Sequence, residues 1–354
     1  MSDEAIRIRL GEELDLYRLN KFLQEEWPAF GEILEVLQFP GGFSNLTYLL
    51  STKDKQYVLR RPPFGANIKS AHDMSREFDV LNLLYQTYKK IPAPLFYYDH
   101  DDVIGAPFYI MERVKGIILR DKPPENITLT PDWMELISRA SVVNLVELHQ
   151  LDIHNTGLVD LGKPEGYVQR QVEGWINRYH NARTDSIKSI EKIIKWMPEN
   201  MPDSYQTSFI HNDYKYDNIV LNPDKMDEII AVLDWEMATV GDPLMDLGTT
   251  LAYWAEPGDN DLLKPFNLTW LPGNLNRESV VDLYLSKRKP ATADILFYYV
   301  FGCFKVAGIV QQIYARYKKG HTNDPRFKNL IHVVKAMAEN GERAIDLKRI
   351  SHLY

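Results

Sequence analysis

The sequence contains a single cysteine, Cys303, in 354 residues. That excludes an intramolecular disulfide and any metal site built from clustered thiolates. Glycine/serine linkers, low-complexity tracts and repeating periods are absent, so any lobe boundary must fall at a short connection inside a compact fold. Long apolar runs are scarce as well. The most apolar stretch, Ile295 to Val310, holds Gly302, Lys305 and Gly308. It falls short of the ~20 apolar residues that a spanning helix needs, so a buried core helix and no membrane partner are expected. Positive charge is in deficit, with 41 Lys and Arg against 49 Asp and Glu and a formal charge of −8. Such a balance argues against a protein whose task is to neutralise a nucleic-acid backbone. The first residues, Met1 to Arg9, mix charges and lack the apolar core of a signal peptide, so a cytoplasmic address is expected.

What is present suffices for a full core: 45% of the residues are hydrophobic and 12% aromatic. Leu16, Leu19, Phe22 and Leu23 recur at helical spacing and predict a helix over 15–27. Strand-like segments follow over 32–39, 46–50 and 57–60, joined by short turns, and predict an antiparallel meander. Ser70 to Asp73 reads as a capping box that opens a helix carrying Met74, Phe78, Leu81, Leu84, Tyr85 and Tyr88. Phe108 to Met111 reads as another strand. From Thr130, an N-cap followed by Pro131 at the first helical position, the chain is mostly helical. The order predicts an α+β fold of two lobes. Residues 1–111 form a small lobe with an antiparallel sheet and helix, and residues 112–354 a large, mainly helical lobe.

The strongest pattern is Phe209-Ile210-His211-Asn212-Asp213-Tyr214-Lys215-Tyr216-Asp217-Asn218-Ile219-Val220-Leu221, which fits H-x-D-x-x-x-x-N between apolar runs. This is the catalytic-loop pattern of the kinase fold. Phosphoryl transfer needs an acceptor hydroxyl oriented and relieved of its proton, which a carboxylate in a water-poor cleft does. Asp213 is the candidate base. Asn218 offers an amide oxygen to magnesium, which prefers hard oxygen ligands, and Val220 is placed to pack beneath a purine. Taken singly, Asp and Asn are also common turn formers; the combined spacing is what points to chemistry. Ile229 to Glu236 ends a β-like apolar run in Asp234, at the place of the aspartate of the kinase D-F-G segment, which binds magnesium. Glu236 is a second, outer carboxylate.

In the small lobe Gly41, Gly42, Ser44 and Asn45 lie between two strands, where backbone N–H groups approach phosphates. Two glycines also mark plain hairpins. Tyr57-Val58-Leu59-Arg60 aligns with the V-A-I-K strand of kinases, with Arg60 in place of the lysine that neutralises the α- and β-phosphates. Glu77 on the following helix is its natural ion-pair partner. Backbone groups of Glu112 and Val114, in the segment that links the lobes, are candidates for binding adenine. His211 supports the catalytic loop. Asp246, in Gly241-Asp242-Pro243-Leu244-Met245-Asp246, is placed to brace that loop from behind.

Together, His211-Asn212-Asp213 through Asn218, Leu233-Asp234-Trp235-Glu236 and Gly241-Asp242-Pro243 through Asp246 resemble the aminoglycoside phosphotransferase (phosphotransferase enzyme) family. The resemblance implies a protein-kinase-like fold and ATP or GTP with magnesium. Further segments are similar to one branch, the kinase-like domain that precedes acyl-CoA dehydrogenase in some fused proteins. These are Leu59-Arg60-Arg61-Pro62-Pro63, Gly166 to Gln171 with Trp175 and Tyr179, and Lys305 to Tyr317. Arginine at position 60 is typical of that branch. Fused relatives imply a hydroxyacyl-CoA as the small-molecule acceptor, and the wider family implies amino-sugars and amino-alcohols. Arg170 and Tyr179 are candidates for an acceptor pocket, whereas Trp175 reads as core. The acidic loop 255–261 has the charge to attract a cationic acceptor, although charged loops are usually solvated.

Two rivals come from other classes. A catalytically silent nucleotide-binding scaffold is favoured by Arg60 and opposed by the Asp213, Asn218 and Asp234 set. A metal hydrolase using His211 lacks a second histidine at ligand spacing. The acceptor, the choice between ATP and GTP and the oligomeric state stay open at this level.

Overall fold

In the computed structural model, which describes residues 5–40, 45–64, 74–289, 294–322 and 324–354, Asp15 opens helix α1 (Leu16–Glu26) by accepting the Arg18 N–H at 3.1 Å. Leu19 and Leu23, one turn apart on α1, are buried. They pack on a sheet formed by β1 (Glu35–Gln38), β2 (Leu46–Ser51) and β3 (Gln56–Arg61), and, beyond α2 (Met74–Leu84), by β4 (Pro94–Tyr98) and β5 (Phe108–Glu112). The strand order is β1-β2-β3-β5-β4, with antiparallel neighbours throughout. The expected meander is thus part of a five-stranded sheet. Pro94–Tyr98 was not anticipated, because its half-buried residues lack clean alternation. The capping box at Ser70 to Asp73 lies outside the described residues.

Alternation along the strands sorts the side chains. Tyr48 and Leu50 of β2, Tyr57 and Leu59 of β3, and Phe108 and Ile110 of β5 join Leu19 and Leu23 in one apolar cluster. Each such buried aliphatic or aromatic side chain stabilises the fold by roughly 1.5–3 kcal/mol. With a period of two, Val58 and Arg60 emerge on the other face of β3, which puts Arg60 on the side of α2.

Met1–Ile117 and Ile230–Glu236 form one compact unit, and Ile118–Ile229 with Met237–Tyr354 form a second. The division expected between residues 111 and 112 therefore falls at 117/118, and a short later segment joins the first unit. The reason is local: the Val232 N–H donates to the Lys90 carbonyl at 2.8 Å, and Trp235 lies edge-on to Tyr88.

The second unit begins its helices at α3 (Pro131–His149), where the Thr130 hydroxyl accepts the Trp133 N–H at 3.3 Å. Helices α4 (Tyr167–Ala182) and α5 (Lys188–Glu199) follow, then four short strands. Strands β6 (Ser208–Ile210) and β9 (Thr239–Gly241) pair antiparallel, as Phe209 faces Val240. Strand β7 (Ile219–Asn222) pairs with β8 (Lys225–Val232), whose last residues pass into the first unit. Helices α6 (Pro243–Tyr253), α7 (Arg277–Lys287), α8 (Leu296–Lys318) and α9 (Leu330–Leu347) complete the unit. By length and composition α8 could cross a membrane, but 78% of its most apolar window is buried inside the protein, against α4, α6 and α9. It is a core helix. Its crossing with α6 is close enough to demand glycine on both sides: a Cβ on Gly302 would lie 2.1 Å from the Gly248 carbonyl oxygen, and one on Gly248 2.1 Å from that of Tyr298.

Candidate active site

In the second unit, β6 delivers the chain to His211, which is fully buried, and then to Asn212, whose φ of 68° is left-handed. This turn is held from one side by Asp246 on α6. Its Oδ2 accepts the His211 N–H at 2.7 Å and its Oδ1 the Asn212 N–H at 2.8 Å. Asp246 reaches that position because Asp242 caps α6 through the Leu244 N–H at 2.9 Å, with Pro243 at the first helical position. Behind it, His149 Nε2 lies 3.1 Å from Asp246 Oδ2 and His149 Nδ1 lies 2.7 Å from the Tyr284 hydroxyl. A neutral imidazole satisfies both contacts when Nε2–H donates to Asp246 and Nδ1 accepts from Tyr284. Burial pushes His149 below its ordinary value against the pull of Asp246. For Asp246 burial acts upward, but the bond from His149, the charges of His149 and His211 and the His211 N–H outweigh it and hold the carboxyl down.

Asp213 follows directly. The Asp213 N–H donates to His211 Nδ1 at 3.2 Å, and Lys215 Nζ lies 2.6 Å from Asp213 Oδ2 and 3.2 Å from Asp217 Oδ1. Asn218 Nδ2 donates to the Asp213 carbonyl at 2.8 Å and to Asp213 Oδ2 at 3.1 Å. Pointing its nitrogen inward leaves the Asn218 Oδ1 as the remaining acceptor, a hard oxygen of the kind magnesium prefers. Burial would lower the Lys215 ammonium, but Asp213 and Asp217 hold it well above its ordinary value. Burial raises Asp217 and Tyr253, whose ring lies 5.2 Å from Lys215 Nζ. Val220 is buried on β7.

The first unit holds its own charged centre. Arg60 Nη1 lies 2.7 Å from Glu77 Oε1, and Arg60 Nη2 lies 3.2 Å from Asp234 Oδ1 and 3.8 Å from Glu236 Oε2. Asn45 Nδ2 donates to Glu236 Oε2 at 3.2 Å. Asp234 adopts a left-handed φ of 65°, at the turn after β8. Burial acts to lower Arg60, but Glu77, Tyr109, Asp234 and Glu236 hold it well above its ordinary value; Glu77 is itself raised by burial, with Arg60 opposing. One guanidinium faces three carboxylates, and of these Glu77 is buried while Asp234 retains 35% side-chain exposure. The excess of negative charge on accessible oxygens suits a divalent cation that shares its coordination with phosphates. Among the described residues no group of three or more His, Cys, Asp or Glu side chains forms a ready-made metal cage.

Glu112 is exposed at the end of β5, with its N–H donating to the Ala93 carbonyl at 2.9 Å, and Val114 is half-buried in the loop beyond. Gly41, Gly42 and Ser44 lie outside the described residues. Arg170 is exposed, with its guanidinium donating to the Lys163 and Glu165 carbonyls. Tyr179 has no exposed surface and packs against Phe304. Trp175 is buried beside Gly308. Sequence reasoning passed over Lys215, His149 and Lys305. Lys215 was readable, since it stands two residues from each of two aspartates on one loop. The partners of His149 and Lys305 lie far away in the chain.

Residues 35–280, more than half of the chain, match the phosphotransferase enzyme family. The chain belongs to that family. It is a phosphotransferase with an alcohol group as acceptor and a protein-kinase-like fold. A mouse relative, acyl-CoA dehydrogenase family member 10, is 35% identical over 311 residues; the match covers 86% of this chain but only 29% of that protein. The chain thus spans less than a third of that relative's length. Among solved structures, a protein of Ralstonia eutropha JMP134 named as a candidate aminoglycoside phosphotransferase superposes with a TM-score of 0.79 at 29% identity, covering 95% of this chain and 99% of that one. The GDP complex of an aminoglycoside 2'-phosphotransferase-IIIa variant shares the fold at a TM-score of 0.62 and 14% identity, over 92% of this chain and 98% of the other.

Proposed function

We propose that this member of the family transfers the γ-phosphoryl group of ATP or GTP to the hydroxyl of a hydroxyacyl-CoA or a free hydroxy acid. The observation that carries the reading is the Asp213 carboxylate, which retains 17% exposure and sits on a turn braced by Asp246. In this reading Asp213 orients the acceptor hydroxyl and takes its proton as the new P–O bond forms. Asn218, through Oδ1, and Asp234 are the magnesium ligands; the metal, when bound, neutralises charge on the phosphate oxygens. Arg60, oriented by Glu77, restrains the triphosphate together with Gly41, Gly42, Ser44 and Asn45. Backbone groups of Glu112 and Val114 hold the base and Val220 packs beneath it. Positioning and charge neutralisation supply most of the rate in such a transfer.

The acyl-CoA class of acceptor is supported by the mouse relative, which is named as an acyl-CoA dehydrogenase family member and matches this chain over 29% of its own length. An amino-sugar or amino-alcohol acceptor is the second reading. It is favoured by the Ralstonia protein, which matches over nearly its whole length and carries an aminoglycoside phosphotransferase name. The test is magnesium-dependent ADP or GDP formation by wild type and Asp213→Asn against hydroxyacyl-CoAs, hydroxy acids, amino-alcohols and aminoglycosides. Turnover on the first two classes, lost in the variant, supports the proposal, and turnover only on amines moves it to the second reading. Nucleotide binding without turnover on any class points to a silent scaffold.

A further inference from the structure

We infer that Lys305, buried on α8, is a positioning residue for Asp213, fixing the left-handed turn at Asn212 through its carbonyl and side-chain oxygens while Asp246 holds its N–H. The inference rests on the reading of Asp213 as the base.

A non-glycine residue at positive φ costs of the order of 1 kcal/mol and persists only where its surroundings over-determine it. Asn212 meets that condition through four polar groups. Its N–H goes to Asp246 Oδ1 at 2.8 Å, and its Nδ2 to the Met237 carbonyl at 3.1 Å and the Tyr167 hydroxyl at 3.3 Å. Its carbonyl and its Oδ1 both accept from Lys305 Nζ, at 2.8 and 3.3 Å. The third Lys305 contact is Thr249 Oγ1 at 3.4 Å, and that hydroxyl donates onward to the Met245 carbonyl at 2.9 Å. Three N–H groups thus meet three neutral acceptors, two of them on the residue that precedes the catalytic aspartate.

A buried ammonium with no carboxylate in contact among the described residues is an expensive way to fill a core. A glutamine or methionine would be cheaper if packing were the only requirement. The ionisable groups around Lys305 explain the charge. Asp246 from α6 and Asp213 from the catalytic loop favour the cation, whereas Arg178 from α4 and Lys215 from the loop oppose it. α5 and α9, the other helices on α8, meet it near Cys303, where Ile193 and Gly341 stand. Cys303 is a buried thiol raised to about 12. Lys305 therefore balances two buried or half-buried carboxylates that it does not touch while gripping the backbone between them. Burial lowers its own pKa to about 8, so its charge is present below that pH and lost above it.

The test compares wild type, Lys305→Met and Lys305→Gln in nucleotide affinity, thermal melting and kcat for magnesium-dependent nucleotide turnover, from about pH 6 to about pH 10. The expected result for Lys305→Met is a kcat lower by about a hundredfold, the scale of an ångström-sized misplacement, with nucleotide Kd unchanged within about twofold. Wild type should lose kcat as pH rises through about 8, and neither variant should show that limb. Lys305→Gln keeps a donor for the Asn212 carbonyl, so it should fold even where Lys305→Met does not. A loss of kcat that only follows the folded fraction, with the alkaline limb intact in Lys305→Gln, overturns the inference. Should wild type show no turnover, the reading of Asp213 fails, and crystal structures of wild type and Lys305→Gln at about pH 6.5 and about pH 9.5 decide the positioning question alone. A shifted Asn212 turn supports it; an unmoved Asp213 carboxylate refutes it.

Discussion

Arg60 Nη1 lies 2.7 Å from Glu77 Oε1, with side-chain exposures of 10% and 2%. The pair is buried, so its two members are not interchangeable with other charges. Arg60→Ala leaves a buried carboxylate without its partner, which costs about 3–5 kcal/mol of stability. Arg60→Lys supplies a point charge in place of a fork that spans Glu77 and Asp234, and nucleotide affinity should fall about tenfold with a smaller loss of stability. Denaturant melts and nucleotide titrations check both; equal melting midpoints for wild type and Arg60→Ala would show that the pair carries no stability.

Asp213 and Asp234 should separate chemistry from binding. Asp213→Asn is expected to lower kcat by roughly 10²–10⁴-fold while nucleotide Kd stays within about twofold. Asp234→Asn should weaken magnesium-nucleotide binding as well, because its carboxylate is a proposed metal ligand. Calorimetric titration with and without magnesium, beside steady-state rates, distinguishes the two patterns.

Acid should act on the second unit through His149 and Asp246. His149 is depressed below its ordinary value of 6.5, so the unfolded chain binds a proton below that pH that the folded chain refuses. Stability therefore falls as pH drops through and below 6.5, and Asp246, depressed from 3.8, adds its own loss further down. The Tm of wild type should decline over this window. In His149→Gln the upper part of the decline should be absent, and Tm near neutrality should be lower because the Asp246 and Tyr284 contacts are broken. Parallel curves for the two proteins would mean that His149 titrates normally in the fold.

The α6–α8 crossing should tolerate no side chain. A Cβ at Gly302 meets the Gly248 carbonyl at 2.1 Å, a backbone atom that cannot rotate away. Gly302→Ala is expected to cost about 3 kcal/mol by overpacking, measured as a lower urea midpoint. A variant as stable as wild type would show that the two helices can slide apart freely.

Much of the first unit was legible because its signals are short. Leu16 to Leu23 gave α1, the runs over 46–50 and 57–60 gave β2 and β3, and the match of 57–60 to the V-A-I-K strand pointed to Arg60 with Glu77 as its partner. Pro94–Tyr98 escaped because half-buried strand residues carry little period-two contrast. In the second unit the loop from His211 to Asn218 was readable from spacing alone, and Lys215 stood inside it between two aspartates.

The acceptor side is where sequence pattern says least. Arg170 has the right chemistry for an anionic acceptor, but its guanidinium turns back to the carbonyls of its own helix entry. Tyr179 has the periodicity of a helix face that points inward, and periodicity cannot tell a pocket wall from a core.

By itself the sequence determined the first helix, the strands over 46–50 and 57–60, the cap at Thr130, and the H-x-D-x-x-x-x-N loop around Asp213. Each of these depends on interactions across a few residues, where backbone sterics and side-chain period leave few alternatives. Only the tertiary structure decided what holds that loop in place. His149 reaches Asp246 across 97 residues and Lys305 reaches Asn212 across 93. Those distances close only when helices pack, at a crossing set by Gly248 and Gly302, and no local pattern encodes which buried charge will face which backbone carbonyl.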